Sequence, residues 1–516
     1  MAWSGAFTAS LDAPSKTTEW ALRFIGHSND YFLGAGRTVR MRGLIEIGEA
    51  DVDIDAARVT PGRWSVNFGG WTMVINGDLR PVSVSAFRKG AIAELYMRRD
   101  GSNHERVAIG QLRSLSGGRG VWRLEFGDFV SAMTTRMSTL QGEMSFFHNA
   151  GITTEVTSGH AFSFGASPAN RLYLDDVAVF EKDSNYDGLA YVTDNSGNTS
   201  YYRWSTKTTL TPPAGYLVVT STGAWPATAS LNALAVGDKV KSIARLQGRP
   251  DHVFSRVMMS TGSATQGQFD DYPKSWGMGL AWHPDMVDAA DMGYWYSVWG
   301  TATGTYEVQL LFDDPSPSAI RSLIDSFLTV GMWPVFRQGR ISWRVVQDPD
   351  DALAFTIAAR IRDTDIISIE SHDMYSPSQS VVYAKSGVLS SDSSGVTSTI
   401  SFIVSNVKAL PANDEIIRDA SQIYRIDTPA QSVKAAADAA RLRAWDLYTW
   451  EKLVLIVHER FAGLVAGDIV TVTSSFIYGW SEAAGQTYRQ RRGMILGNRW
   501  QPGRSRCILT IGVIGK

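Results

Sequence analysis

Apolar and polar positions alternate in short runs through the first 145 or so residues, and the runs stop at Gly, Asn and Asp. GRWSVNFGGWTMVING, AIAELYMRR, ERVAIGQLRSL and GVWRLEFGDF each read as strands. In VWRLEF, Val121, Arg123 and Glu125 alternate with Trp122, Leu124 and Phe126, the period of two expected of a strand with one buried face. Asp100-Gly101-Ser102-Asn103 and Gly117-Gly118 supply turns between such runs. A small antiparallel barrel or sandwich is the expected product.

The same texture returns at about 155–240, where LDDVAVF, LAYVTD and TSYYRWST are candidate strands and Asn195-Ser196-Gly197-Asn198 is a turn. Thr211-Pro212-Pro213 should interrupt any regular element. Between about 241 and 355 the period lengthens. PSPSAIRSLIDSFLTVG predicts a helix capped by Ser316, with Pro317 at its first position, a stripe of Ile320, Leu323, Ile324, Phe327 and Leu328, and Gly331 at the stop. WPVFRQGRISWRVV then predicts a hairpin turning at Gln338-Gly339.

Beyond 356 the pattern predicts a helix over 433–450, with Val433, Ala437, Ala440, Ala444, Leu447 and Tyr448 facing inward. The strands LVLIVHERF, DIVTVTSSFIY and CILTIGVIG follow it. ILTIGVI is apolar on both faces and should be covered on both. The fold class is therefore mainly β and multidomain (α+β), with small antiparallel β-barrels, a mixed α/β middle and one long helix in the C-terminal half. Four regions emerge: a β-barrel at 1–150, an inserted β-rich peripheral domain at 155–240, a mixed domain at 241–355, and a C-terminal domain at 356–516 with the helix and a second barrel. A chain of 516 residues is too long for one core, which agrees.

Composition narrows the function classes. Charged residues are 19% and the formal net charge is −2, giving no global case for nucleic acid or an anionic membrane. Cys507 is the single cysteine, so neither an internal disulfide nor a cysteine-built metal centre is expected. KLVLIVHERFAGLVAGDIVTV is broken by Lys452, His458, Glu459, Arg460 and Asp468, short of the roughly 18 apolar residues a membrane helix needs. No secretory leader is visible at the N-terminus, and a soluble protein made in a reducing cytoplasm is the expectation.

Catalytic signatures are missing from the sequence. FLGAGRTV lacks the lysine of a phosphate loop, and neither HExxH nor GxSxG occurs. The acid pairs Asp175-Asp176, Asp270-Asp271, Asp313-Asp314 and Asp350-Asp351 each point to opposite faces if extended, so no single pair flanks a glycosidic bond. The sharpest local pattern is DSNYDGLAYVTD. Asp183, Asn185, Asp187 and Asp194 have the spacing of oxygen ligands in a calcium loop, with Gly188 at the bend and Leu189 or Tyr191 offering a carbonyl. Its final ligand is Asp where Glu is usual, its flanks read as strands, and polar hairpin turns use the same residues.

Trp276, Trp282, Trp295 and Trp299, with Tyr294 and Tyr296, suit a core, a protein interface or a sugar-stacking surface. Arg489, Arg491, Arg492, Arg499, Arg504 and Arg506 suit a charged strand face or an acidic neighbour.

One segment is more than generic. FSRVMMSTGSATQGQFDDYPKSWGMGLAW carries Ser260, Thr261, Gly262, Asp270 or Asp271, Pro273, Trp276, Gly277 and Gly279. It resembles a stretch of bacteriophage tail-tip and baseplate-hub proteins, although Asp271-Tyr272-Pro273 is one residue tighter than their pattern. RQGRISWRVV, the GDIVTVT…RRGMILGNRWQPGRSRCILTIGVI ending and the series ELYMRR…VAIGQLRSL…VWRLEFGDF are similar to that family as well. The resemblance implies a non-enzymatic homotrimeric ring at the end of a tail tube, in which two barrels per subunit make six similar units. It also implies contacts with distal tail, tape measure and fibre proteins. A receptor- or carbohydrate-binding tail protein and a virion-borne cell-wall hydrolase are the alternatives.

Overall fold

The computed structural model describes residues 3–13, 17–25, 31–34, 44–45, 50–61, 64–76, 91–99, 102–118, 120–127, 148–161, 170–182, 187–197, 199–220, 233–248, 250, 253–254, 287–300, 308–312, 320–328, 331–349, 356–375, 381–389, 396–405, 415–419, 442, 444–446, 448–480 and 486–515. The chain is mainly β, as its alternating pattern demands. The expected strands of the first region form as Gly70–Asn76, Ile92–Arg99, Glu105–Gly118 and Val121–Gly127, antiparallel neighbours in one sheet. Leu124 and Phe126 are buried, the face that period two assigned to the core. Phe126 stacks on Trp71 with ring centroids 3.7 Å apart.

The barrels expected at the two ends of the chain are not seen as closed units. Among the described residues no sheet closes on itself. Instead, strands of the first and last regions run in one fourteen-stranded sheet. The seam is short: Arg499 pairs with Asp55 and Trp500 with Ile54. Around it, Trp20, Phe24, Met73 and Leu95 share a core with Leu455, Ile495, Leu509 and Val513. Two long-range polar links brace the same junction. Arg99 and Glu459, both essentially without exposure, meet at 2.6 Å, and Trp500 Nε1 donates to the same Glu459 Oε1 at 2.8 Å. Arg499 Nε donates to both oxygens of Asp53 at 2.9 Å.

The 155–240 region supplies most of a second sheet. Strands Thr153–Glu155, Lys239–Gly248, Gly188–Thr193, Thr199–Thr211, Ala214–Val219 and Asn170–Leu174 lie in that order in a separate sheet, to which Val308–Phe312 adds beyond Lys239–Gly248. Its core of Leu172, Phe180, Val192, Trp204, Leu217 and Val240 is its own. Asn195–Gly197 makes the expected turn, with Gly197 at φ 84°. Pro212-Pro213 turns one strand into the next, Thr211 pairing with Ala214. The candidate strand LDDVAVF is corrected: the strand stops at Leu174, because Asp175 Oδ1 accepts the Glu155 amide and Asp176 Oδ1 the Ala178 amide. Carboxylates that take up backbone N–H groups favour a turn over a ladder.

The middle region holds the predicted hairpin, Met332–Arg337 with Arg340–Val345. Gln338 and Gly339 have φ of 52° and 69°, the pair of positive values a two-residue type I′ turn requires. Helix Ile320–Leu328 forms, and Gly331 at φ 72° donates its amide to the Leu328 carbonyl, the αL stop the sequence offered. Ser316 and Pro317 lie outside the described residues. A further helix, Ala289–Gly300, was not legible: its apolar residues do not gather on one stripe. Asp288 starts it, accepting the Asp291 amide.

The helix expected over 433–450 is corrected at its C-terminal end. Leu442 and Ala444–Asp446 are helical, but Trp450 opens the strand Trp450–His458. The β-branched and apolar run from Trp450 wins the residue for the sheet, and most of the expected helix lies outside the described residues. Trp445 covers Gly512 on the outer face of the last strand, where a Cβ would come within 2.7 Å of its ring. The inner face of that strand, Cys507, Leu509, Ile511 and Val513, is fully buried. Ile508 and Thr510 are half-buried, so the outer cover is partial.

Candidate functional site

Of the calcium pattern, Asp187 and Asp194 are described, and they lie at the two ends of one strand. Gly188–Thr193 is an extended strand paired on both sides, by Thr199–Thr211 and by Lys239–Gly248. Asp187 and Asp194 sit at its two ends, seven residues apart, which at roughly 3.3 Å per residue is about 23 Å. Asp187 Oδ2 accepts from Thr220 Oγ1 at 3.2 Å, and Asp194 Oδ1 accepts the Ser196 amide at 2.9 Å. Asp183 and Asn185 lie outside the described residues. Gly188 is not a bend. It is a close-packing residue, since a Cβ there would lie 2.1 Å from the Trp204 ring. Among the described residues no group of three or more His, Cys, Asp or Glu could hold a metal.

A cleft of about 520 Å³ opens between the middle and C-terminal regions, lined by Tyr294, Trp295, Arg337, Arg344, Arg460 and Asp468 among others. Its floor is a charge network. Arg344, with no exposure, donates to Asp291 at 2.7 Å and Asp468 at 2.9 Å, and its guanidinium lies 4.6 Å from the Trp295 ring centroid. Ser342 also donates to Asp291. Burial by itself raises the Asp291 carboxyl, but Arg344, Ser342 and Arg337 outweigh it and hold the group below the usual carboxylate range. A carboxylate held ionised against arginine is a poor general acid, so this network is built to fasten the Ala289–Gly300 helix to the hairpin and to Asp468.

The second polar cluster sits at a sheet edge. Glu451, fully buried, accepts from Tyr488 Oη at 2.6 Å and from the Trp480 amide at 3.0 Å, and lies 2.7 Å from His372 Nε2. Burial and then the Glu451 hydrogen bond push the Tyr488 hydroxyl far above its ordinary range. The cluster pins a loop, Ser474–Trp480, beside the strand Ile366–Tyr375, which ends the fourteen-stranded sheet. Ser475 adds donors to Asp363 at the start of that strand, through its amide at 3.0 Å and its hydroxyl at 2.7 Å.

This edge is the most apolar exposed surface of the described residues. Seven of the eleven exposed large apolar side chains lie here: Ile367, Ile369, Met374 and Tyr375 on the strand, and Phe476, Tyr478 and Trp480 on the loop. Such patches mark contact surfaces. The sequence reading missed it. ISIESHDMY has neither clean alternation nor a helical stripe, and the available signal was a strand-forming run without a lysine or arginine.

The other candidates resolve plainly. Trp295 is buried and Tyr294 is 43% exposed at the cleft, while Trp276 and Trp282 lie outside the described residues. Arg499 is tied to Asp53 of its own chain, Arg506 Nε donates to Gln501 at 2.7 Å, and Arg491 donates to the Ile514 carbonyl at 2.9 Å. Of the acid pairs only Asp175-Asp176 is described, and it shapes a turn. His458 is exposed, and the Cys507 thiol is buried and donates to the Glu459 carbonyl at 3.8 Å. No helix among the described residues is long and apolar enough to cross a membrane.

No protein-family model matches the chain, and no curated protein matches it. Solved structures similar to it include a tail protein from Neisseria meningitidis, at 10% identity and TM-score 0.37, covering 96% of each chain. Another is the 43 kDa tail protein of prophage MuSo2 from Shewanella oneidensis, at 9% identity and TM-score 0.36, covering 96% of this chain and 98% of that one. A third is a prophage tail protein, gp18, from Listeria monocytogenes, at 9% identity and TM-score 0.37, covering 96% and 94%. Scores this low do not establish a shared fold.

Proposed function

We propose that this chain is a structural, non-enzymatic protein of a bacteriophage tail that assembles as a trimeric hub at the tail tip. It would cap the tail tube and join it to distal tail, tape measure and fibre proteins. The observation that carries the reading is the joining of the two ends of the chain into one sheet, with an apolar open edge and a separately folded region beside it. That arrangement suits a ring subunit: a stiff body with an edge left for a neighbour, and a peripheral domain free to face outward. Of the described segments that resemble hub proteins, ELYMRR, VAIGQLRSL, VWRLEF, IVTVT and the last two long strands lie in this sheet, and RISWRVV forms a separate hairpin. Stable nucleic-acid binding and membrane insertion form no part of the proposal.

Single-particle imaging of intact tails tests it. Three copies per tip, with 506–514 in the ring and 155–240 outside it, are expected; one or six copies would sink the trimer. A carbohydrate-binding tail role is the second reading, favoured by Tyr294 exposed beside Trp295 in the 520 Å³ cleft. Glycan-array binding lost on Tyr294→Ala would favour it over the hub.

A further inference from the structure

We infer that the 520 Å³ cleft binds a neutral sugar carrying an acetamido group. This deepens the carbohydrate reading of the cleft and rests on it. The first observation is a set of hydrogen-bonding groups that the protein leaves unmet. Gln347 lines the cleft and is 1% exposed, yet neither its side-chain nitrogen nor its side-chain oxygen has a partner. Arg344 spends Nε on Asp468 and Nη1 on Asp291, and its Nη2 has no partner. Arg337 gives Nη1 to Asp291, and its buried Nε has none. A buried polar group without a partner costs stability, and native proteins leave few of them. Three residues of this kind line one cleft, whose volume is that of a ligand site, and they point to a ligand that completes them.

Charge narrows the class. Arg337, Arg344 and Arg460 line the cleft. Asp291 and Asp468 answer the first two, and Asp365 takes Arg460. The charges cancel, so an anion would find each guanidinium already neutralised, while a neutral ligand meets no bare charge.

Hydrogen bonding and shape narrow it further. The Gln347 side chain offers a donor and an acceptor on one planar amide, the complement of another amide. The unmet arginine N–H groups only donate, so they call for hydroxyl or carbonyl oxygens. Tyr294, half-exposed and nearly perpendicular to Trp295 with ring centroids 5.5 Å apart, sets an aromatic ring beside these groups. A pyranose packs its C–H face on such a ring and turns its oxygens to the donors around it. An amide, several oxygens and a flat apolar face occur together in an N-acetylhexosamine.

The test uses the full chain and oligomers of N-acetylglucosamine and N-acetylgalactosamine, beside glucose and galactose oligomers of the same linkage. The acetylated sugars should bind about tenfold more tightly than their counterparts. Gln347→Met should erase that preference without lowering the melting temperature, because methionine fills a similar volume and leaves no unmet amide. Tyr294→Ala, at an exposed position, should weaken binding whatever Gln347→Met does to folding. Acetylated sugars bound as well after Tyr294→Ala, or a preference that survives Gln347→Met, overturn the inference. An acetylated alanine tripeptide bound as tightly as the sugars assigns the cleft to main-chain amides and overturns it too. Binding confined to sugars without an acetamido group, and lost on Tyr294→Ala, overturns it while leaving the carbohydrate reading intact. No sugar binding at all removes both.

Discussion

The peripheral sheet and the large sheet are built from the same kinds of strand and hold together in opposite ways. Most of the core under the peripheral sheet falls between Val156 and Val240, while Ala244 and Leu246, further along its strand Lys239–Gly248, pack into the core of the middle region. The core of the large sheet joins residues as distant as Trp3 and Val513, and its polar brace ties Arg99 to Glu459 across 360 positions. One draws its core mostly from a short stretch of chain. The other is a closure between chain ends, so its stability depends on contacts that neither end makes alone.

Amide exchange should expose this contrast most strongly. Cys507–Val513 should exchange only through global opening, and Asn195–Gly197 almost freely. The difference should approach the full stability of the protein, roughly 5–15 kcal/mol. Rapid exchange at 507–513 would show that the closure is not the stable part.

Next in size is the brace. Glu459→Gln leaves the Arg99 guanidinium buried without its counter-charge, which costs about 3–5 kcal/mol. Calorimetry should show the large-sheet transition falling while the peripheral transition stays in place. A matched drop in both would mean that the two regions unfold as one.

Gly188→Ala is the converse experiment. The added methyl meets the Trp204 ring, and overpacking of this kind costs about 1–3 kcal/mol. Only the peripheral transition should move. If a bend were the reason for glycine here, alanine would act through backbone geometry, and Trp204→Leu in the same chain would not restore stability; with packing as the reason, it should.

Smallest is the effect of chelator. With Asp187 and Asp194 at opposite ends of one strand, EDTA should leave the peripheral melting temperature unchanged. A calcium-dependent rise, lost with Asp183→Asn and Asp187→Asn, would instead place a site on the residues just before the strand.

How much was legible follows the same division. The Gln338-Gly339 hairpin, the Asn195–Gly197 turn, the Gly331 stop and the alternation in Val121–Gly127 were all readable, because each is decided within a few residues by φ preference or by a buried face. The seam at Trp500 and Ile54 was not. Two strands more than 440 positions apart leave no local mark on each other, so the sequence pointed to two separate barrels and not to a sheet that, among the described residues, both ends share. The Ala289–Gly300 helix escaped because its aromatics do not form a stripe. In DSNYDGLAYVTD the spacing counts residues along the chain, and the strand Gly188–Thr193 turns the part from Asp187 to Asp194 into distance. The edge at Ile366–Tyr375, open among the described residues, left only a weak trace, the want of a lysine or arginine in a strand-forming run.

The seam at Asp53 and Arg499 also sets a timetable. Their separation of 446 residues means that, at about 5–20 residues per second, the ribosome takes roughly 20–90 seconds to deliver the second partner after the first. During that interval the strand Ala50–Asp55 has Gly70–Asn76 on one side, while its described partner on the other, Arg491–Gln501, has yet to be made. The peripheral sheet can complete within the same wait. A nascent chain of this design carries a finished domain and an unfinished sheet edge together, and its exposure to chaperones or to misplaced strands is greatest while the last fifty residues are still being made.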